Sequence, residues 1–205
     1  LDRSDSMRTF LIIAGLSVAA PSFAHDVDRE VGDKNCKVIL HDDGTPESVR
    51  WSGGCNAGYA EGVGVLDWKY RKDAAASMYE GAMHKGRMHG DGYLKRASGT
   101  QYEGKFSDGK PHGTGTRVDN EGRYDGNWVA GEPDGLGKMV YLLGGSYEGQ
   151  WKAGKFHGKG TANYVGGRTV TAEFIEGRRV EQAAAAPKSD KEFRISRLDH
   201  QLSAI

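Results

Sequence analysis

Five side chains with the chemistry of metal ligands or proton carriers occupy equivalent places in a repeated sequence pattern. They are Glu61, His89, His112, Asp134 and His157. Imidazole and carboxylate groups bind Zn²⁺ and also act as general acids and bases. Consecutive members of this set, here called the histidine column, are 22 to 28 residues apart in the sequence. Whether they share a site therefore depends on the elements that position them.

Those elements follow a glycine repeat. Residues 102–115 read YEGKFSDGKPHGTG, with glycine at the third, eighth, twelfth and fourteenth places. The same glycine places recur in stretches that begin at Trp51, Tyr79, Tyr124 and Tyr147, and a shortened stretch, VTAEFIEGRRV, begins at Val170. From Tyr79 onward the starts are 22 or 23 residues apart. The sequence therefore predicts a repeat protein.

Each repeat has the pattern of a β-hairpin. Tyr102, Gly104 and Phe106 alternate with charged residues, which is the period of a strand. Gly109 follows an aspartate and can take a positive φ in a tight turn, after which a second alternating segment returns. Chained hairpins of this kind predict an all-β fold, an elongated single-layer antiparallel meander of repeated β-hairpins.

Two columns of mostly aromatic residues run through the repeats. One consists of Trp51, Tyr79, Tyr102, Tyr124 and Tyr147, and the other of Cys55, Met83, Phe106, Trp128, Trp151 and Phe174. We expect the rings to pack over the bare backbone of glycines on neighbouring strands. The alternative is an exposed groove that binds a protein, peptide, glycan or lipid chain. The candidate residues for such a face are Tyr79, Tyr102, Phe106, Tyr124, Trp128, Tyr147 and Trp151.

The predicted hairpins argue against a metal ion shared along the histidine column. Two strands per repeat separate equivalent residues by about 10 Å, whereas ligands of one Zn²⁺ lie within about 4 Å of one another. We therefore expect these side chains to form hydrogen bonds near the hairpin turns, and we predict no metal site.

The N-terminal region has the pattern of an export signal. Residues 7–24 combine Arg8, an apolar run and small residues at Ser22 and Ala24, which predicts cleavage after Ala24. The run is too short to span a bilayer as a helix, which takes about 20 residues, although an uncleaved anchor is the alternative. Residues 1–6 are interpreted as an upstream extension. The predicted location is the periplasm or the exterior of the cell.

The two cysteines, Cys36 and Cys55, are predicted to form a disulfide, because an exported chain with an even cysteine count usually pairs them. A redox pair is the alternative, but the Cys-x-x-Cys spacing is absent. Residues 25–50 are interpreted as an N-terminal β cap with a strand over 36–40. The disulfide would attach this cap to the first repeat.

The C-terminal region differs from the repeats. Residues 181–188 are predicted to be a linker, and 189–205 a short amphipathic helix that starts with a capping box. Its apolar face would comprise Ile195, Leu198, Leu202 and Ile205. This helix either covers the last hairpin or docks onto a partner.

The pattern Tyr-Glu-Gly-x-Trp-x-x-Gly-x-x-His-Gly-x-Gly, which occurs at 147–160, resembles the MORN (membrane occupation and recognition nexus) repeat. Residues 51–64 and 79–177 carry the resemblance, although Trp51, Cys55 and Asp134 depart from the pattern. The array is expected to span 51–180, with repeats at 51–78, 79–101, 102–123, 124–146 and 147–169 and a partial copy at 170–180. The resemblance implies a hairpin ribbon that serves as a scaffold.

Composition and motifs limit the functional classes. Lys+Arg and Asp+Glu both number 28, so a nucleic acid partner is not expected. The common catalytic and phosphate-binding motifs do not occur. We therefore predict no enzymatic activity and no cofactor. The leading hypothesis is an exported scaffold that binds a protein partner or forms a homodimer. The alternative is lipid or glycan binding through the aromatic face, and an enzyme with an unrecognised site is the third.

Overall fold

Every regular element of the described chain is a β-strand. The computed structural model describes residues 28–33, 35–41 and 45–180. The strands are β1 Asp28–Asp33, β2 Cys36–His41, β3 Ser48–Trp51, β4 Gly54–Asn56, β5 Tyr59–Lys69, β6 Ser77–His84, β7 Arg87–Lys95, β8 Gln101–Ser107, β9 Lys110–Val118, β10 Gly122–Val129, β11 Glu132–Tyr141, β12 Ser146–Lys152, β13 Lys155–Asn163, β14 Thr169–Ile175 and β15 Arg178–Arg179. Among these residues there is no helix that could cross a bilayer. The predicted signal peptide and C-terminal helix lie outside the described residues.

The strands from β5 to β15 form one open antiparallel meander in which each strand pairs with the next in sequence. This confirms the predicted chain of hairpins. Six hairpin turns, here numbered one to six, join the paired strands along one edge of the ribbon. Their central residues are Ala57–Gly58, Lys85–Gly86, Asp108–Gly109, Ala130–Gly131, Ala153–Gly154 and Glu176–Gly177.

Both central residues of every hairpin turn have positive φ. The first has φ between 47° and 50°, and the glycine after it has φ between 73° and 93°. This is the type I′ geometry, whose twist matches that of the flanking strands. The prediction of a positive φ at Gly109 is confirmed, and the structure adds that a non-glycine residue precedes it in the same conformation.

A continuous row of paired glycines crosses the middle of the ribbon. It consists of Gly64, Gly81, Gly92, Gly104, Gly115, Gly126, Gly137, Gly149 and Gly160. Tyrosine rings lie directly on this glycine row, since a Cβ built at Gly137 would lie 2.2 Å from the Tyr124 hydroxyl. In the shortened last repeat, Val170 replaces the tyrosine, and Ala172 pairs with Gly160. Alanine thus enters the row where the tyrosine is missing.

The N-terminal cap lies along the hairpin turns as well as at the end of the ribbon. β3 and β4 pair with β5 at the end, as a cap should. β2 instead forms a hairpin with β1 and meets β5 through one parallel pair, Lys37 with Tyr59. β1 was not predicted from the sequence, and β2 was predicted only at the end of the ribbon.

Hydrogen bonds explain the position of β2. The amides of Lys37 and Ile39 donate to the carbonyls of Gly58 and Gly86, at 2.9 and 2.7 Å. The His41 ring meets the Asp108 carbonyl through Nε2 at 2.7 Å. β2 therefore crosses the first three hairpin turns. Every second residue of β2, namely Lys37, Ile39 and His41, contacts one of these turns. The predicted disulfide between Cys36 and Cys55 is present and attaches β2 to β4.

Candidate interaction surfaces

The seven rings of the candidate aromatic face are buried, with only 0 to 3% of each residue exposed. Along the ribbon each tyrosine contacts neighbouring rings edge to face, as Tyr102 does with Phe106 and Trp128 at 5.0 and 5.2 Å between centroids. This is the expected packing over glycine. The rings form the hydrophobic core of the ribbon, and in this arrangement their faces are not open to a ligand.

The tyrosine hydroxyls are satisfied within the ribbon. The hydroxyl of Tyr79 crosses the glycine row and donates to the Ala82 carbonyl at 2.7 Å, and that of Tyr147 donates to the Gln150 carbonyl at 2.9 Å. Burial raises the pKa of Tyr79 and of Tyr147 to about 12. These hydroxyls are therefore protonated at neutral pH and serve as structural donors.

Two members of the histidine column, Glu61 and Asp134, accept hydrogen bonds at the hairpin turns, whereas such bonds for His89, His112 and His157 stay a prediction. Glu61 accepts from the Lys85 amide and from the His84 ring, each at 2.9 Å. The Lys85 amide is the main reason why the pKa of Glu61 is lowered. Asp134 accepts from the Ala153 amide at 3.2 Å. Each carboxylate thus accepts a hydrogen bond from a backbone amide of the next hairpin turn along the chain. In the described part of the chain, no three metal-ligand side chains lie close enough to hold an ion.

A buried ion pair marks the middle of the ribbon. Arg117 is 2% exposed, and its Nε donates to Asp119 Oδ2 at 2.8 Å. Its two terminal nitrogens have no partner, although the guanidinium lies 5.6 Å from the centre of the Trp128 ring. Burial, and then the charge of Asp119, raise the pKa of nearby Glu121. This ion pair was not predicted from the sequence. The signal was available, because the equivalent residues in other repeats are Leu94, Met139 and Ala162.

The turns at the opposite edge of the ribbon, here called return turns, join one hairpin to the next. Two neighbouring return turns carry an apolar patch, here called the return-turn patch, which consists of Leu142, Leu143 and Val165. Their exposed fractions are 68%, 94% and 74%. A Cβ at Gly144 would lie 3.1 Å from Val165 Cγ2, so the two turns touch. The preceding return turns, at 96–100 and 119–122, are polar instead.

The hairpin array agrees with a known repeat family. Four consecutive segments match the family model of the MORN repeat, at 79–101, 102–122, 124–141 and 147–167. The MORN-like copies that start at Trp51 and Val170 lie outside the matched segments but form the same type of hairpin turn. A search of the curated proteins finds no match. MORN repeats commonly serve as scaffolds for protein or membrane interactions and are generally not enzymatic.

Proposed function

We propose that this chain is an exported, non-enzymatic MORN scaffold that binds a protein partner or a second copy of itself through the return-turn patch. The observation that carries the proposal is the exposure of Leu142, Leu143 and Val165 on two adjoining turns. Contiguous exposed apolar side chains are uncommon on monomeric proteins and usually mark an interaction site. Glycine pairs hold both turns, Gly144–Gly145 and Gly166–Gly167, all with positive φ. In each turn one glycine amide also donates to a carbonyl, Gly144 to Tyr141 at 3.0 Å and Gly167 to Tyr164 at 3.1 Å, so the two turns present the patch in the same geometry.

A membrane surface is the second candidate for the same patch. Tyr164 lies beside Val165, and the Arg168 guanidinium lies 5.2 Å from the centre of its ring. Apolar loop tips flanked by tyrosine and arginine are suited to the interface of a bilayer. The balanced net charge gives no general attraction to anionic lipid. Burial of the tyrosine and tryptophan rings argues against lipid or glycan binding through the aromatic columns.

The test compares the purified chain with the double variant Leu142→Ser, Leu143→Ser. Light scattering measures the solution mass, and a crosslinked pull-down from the envelope fraction of the source cells identifies partners. We expect a dimer or a reproducible partner that the double variant loses. Val63→Ser is the matched control, because Val63 is 78% exposed on β5, outside the patch.

Three results would contradict the protein-binding proposal. They are a monomer without a partner, a partner that the double variant retains, and equal loss in the Val63→Ser control. Sedimentation with vesicles of phosphatidylcholine and phosphatidylglycerol tests the membrane alternative. Vesicle binding that requires both leucines would mean that the patch binds a membrane and not a protein.

The mass of the protein recovered after export tests the predicted cleavage after Ala24. An intact N-terminus would contradict that prediction.

A further inference from the structure

The hairpin-turn edge has two unequal halves. β2 covers the first three hairpin turns with one backbone or side-chain hydrogen bond to each. Hairpin turns four to six have the same φ angles and the same glycines. No residue in the described parts of the chain donates a backbone hydrogen bond to the carbonyls of Gly131, Gly154 or Gly177.

Hydrogen bonds between hairpin turns continue without change across both halves. The amide of each turn glycine donates to a carbonyl of the preceding hairpin, from Gly86 with Ala60 to Gly177 with Phe156, always at 2.9 Å. This regular ladder aligns the second half of the edge with the half that binds β2. Hairpin turns four to six therefore repeat the backbone surface that turns one to three offer to β2, and β2 occupies only turns one to three.

The residues that precede the hairpin turns distinguish the two halves. Before the first three turns they are polar: Asn56, His84 and Ser107. Before turns four and six they are Val129 and Ile175, which are 48% and 54% exposed. β-Branched residues on an open edge favour contact with another strand. The half that lacks β2 thus offers the apolar contacts that the covered half does not.

The core next to the open half has a matching feature. Phe156, on the strand after turn five, is only partly buried, although it stacks on Tyr147 at 3.8 Å between centroids. Met88 occupies the equivalent place after turn two and is 6% exposed. Val38 and Leu40 of β2 are buried too, with 0% and 3% exposed. In the open half, Pro133 after turn four is buried without such a strand, so Phe156 is the residue there that an aliphatic side chain of an added strand would cover.

We propose that hairpin turns four to six form a docking edge for an extended peptide strand of a partner protein. The strand would run in the direction of β2, donate one amide in two to the turn carbonyls, and place aliphatic residues at alternate positions. Such a strand would continue the β2 interface, where Val38 and Leu40 alternate with the amide donors Lys37 and Ile39. Strand addition of this type obtains affinity from the main chain and specificity from alternate side chains.

The test measures binding of a synthetic peptide, residues 35–41 with Ser in place of Cys36, to the oxidised full chain by fluorescence anisotropy. We expect saturable binding that the double variant Val129→Glu, Ile175→Glu weakens about tenfold or more, which corresponds to about 1.4 kcal/mol. Val118→Glu is the matched control, because Val118 is 38% exposed next to the return turns. It should bind the peptide as the unaltered chain does.

Several results would overturn the proposal. One is the absence of saturable binding by folded protein, and another is equal weakening by Val118→Glu. Binding that appears only after reduction would mean that the peptide displaces β2 from the first three turns. Crosslinks that place Lys188 or Lys191 next to Lys155 would assign the edge to the chain's own C-terminal segment. A dimer that Val129→Glu converts to a monomer would assign it to a second copy. The return-turn patch lies on the opposite edge, so the serine variants should leave peptide binding unchanged.

Discussion

The two halves of the ribbon have the same internal packing but different edges. In the first half, β2 crosses hairpin turns one to three, and the disulfide between Cys36 and Cys55 holds it there. In the second half, the described residues provide no such strand, and Val129 and Ile175 are exposed beside the turns. The return-turn patch also belongs to this half. The comparison teaches that repeats with the same internal packing present different surfaces when a strand from outside the array covers only some of them.

The difference has an energetic consequence. In a linear array each repeat contacts only its neighbours, so stability is a sum of local and nearest-neighbour contributions. β2 is an exception, because it joins three successive hairpins at once. The first half should therefore open less often than the second.

Alanine in the glycine row should destabilise both halves to a similar extent. A Cβ at Gly92 or Gly137 would approach the ring of Tyr79 or Tyr124 to 2.5 Å or less. We expect Gly92→Ala and Gly137→Ala each to cost about 3 kcal/mol or more in denaturant unfolding, as overpacking of a core does. Ala172→Gly is the control and should cost about 1 kcal/mol or less. A loss below that value for Gly137→Ala would show that the ring does not need the glycine.

Removal of the disulfide should affect only the first half. The double variant Cys36→Ser, Cys55→Ser should lose roughly 3 kcal/mol, since the bridge closes a loop of 19 residues in sequence separation. Hydrogen exchange should accelerate at the amides of Lys37 and Ile39, which donate to the first two turns. The amides of Gly154 and Gly177 should keep their rates. Equal acceleration of hydrogen exchange at all of these amides would contradict the prediction that the two halves open independently.

High pH should destabilise both halves through the same tyrosine ionisation, and it should open the second half first because β2 covers only the first half. Tyr79 in the first half and Tyr147 in the second have a pKa of about 12 in the fold and about 10 when unfolded. A tyrosine whose pKa is raised in the fold stabilises the folded state below pH 10. This stabilisation is lost as the pH rises towards 12, because the tyrosines of the unfolded chain ionise first. Tyrosinate absorbance of Tyr79→Phe and Tyr147→Phe variants assigns the signals. Ionisation near pH 10 with unchanged circular dichroism would contradict the burial of these rings.

Replacement of the whole Arg117–Asp119 ion pair should have the smallest effect. In the double variant Arg117→Met, Asp119→Asn this repeat gains the residue that its neighbour has at Met139, and the side-chain oxygen at position 119 can still accept from the Glu121 and Gly122 amides. Replacement of both members of a buried ion pair by uncharged residues of similar volume is often neutral or stabilising, whereas removal of one member alone leaves a buried charge uncompensated. We expect a change within about 1 kcal/mol in the free energy of unfolding. A loss of several kcal/mol would mean that the ion pair stabilises the junction between the halves.

Periodic local features were predictable from the sequence. Alternation around Tyr102 and the Asp-Gly pair at Gly109 identified strands and turns, because strand period and turn geometry depend on adjacent residues. The pairing of Cys36 with Cys55 followed from the cysteine count. The position of β2 was not predictable, because its bonds join residues far apart in sequence, such as His41 and Asp108. The ion pair of Arg117 was overlooked because it interrupts the repeat at only one position.

The sequence by itself determined the hairpin, the positive φ of its turn glycine and the need for glycine beneath tyrosine, since all three are set within one repeat. Only the tertiary structure decided which surfaces remain open. Burial of the aromatic columns depends on packing between successive hairpins. Coverage of the first three turns depends on a strand from outside the array. Leu143 and Ile175 are apolar residues like many others in the sequence, and their exposure results from the absence of a described element that covers them.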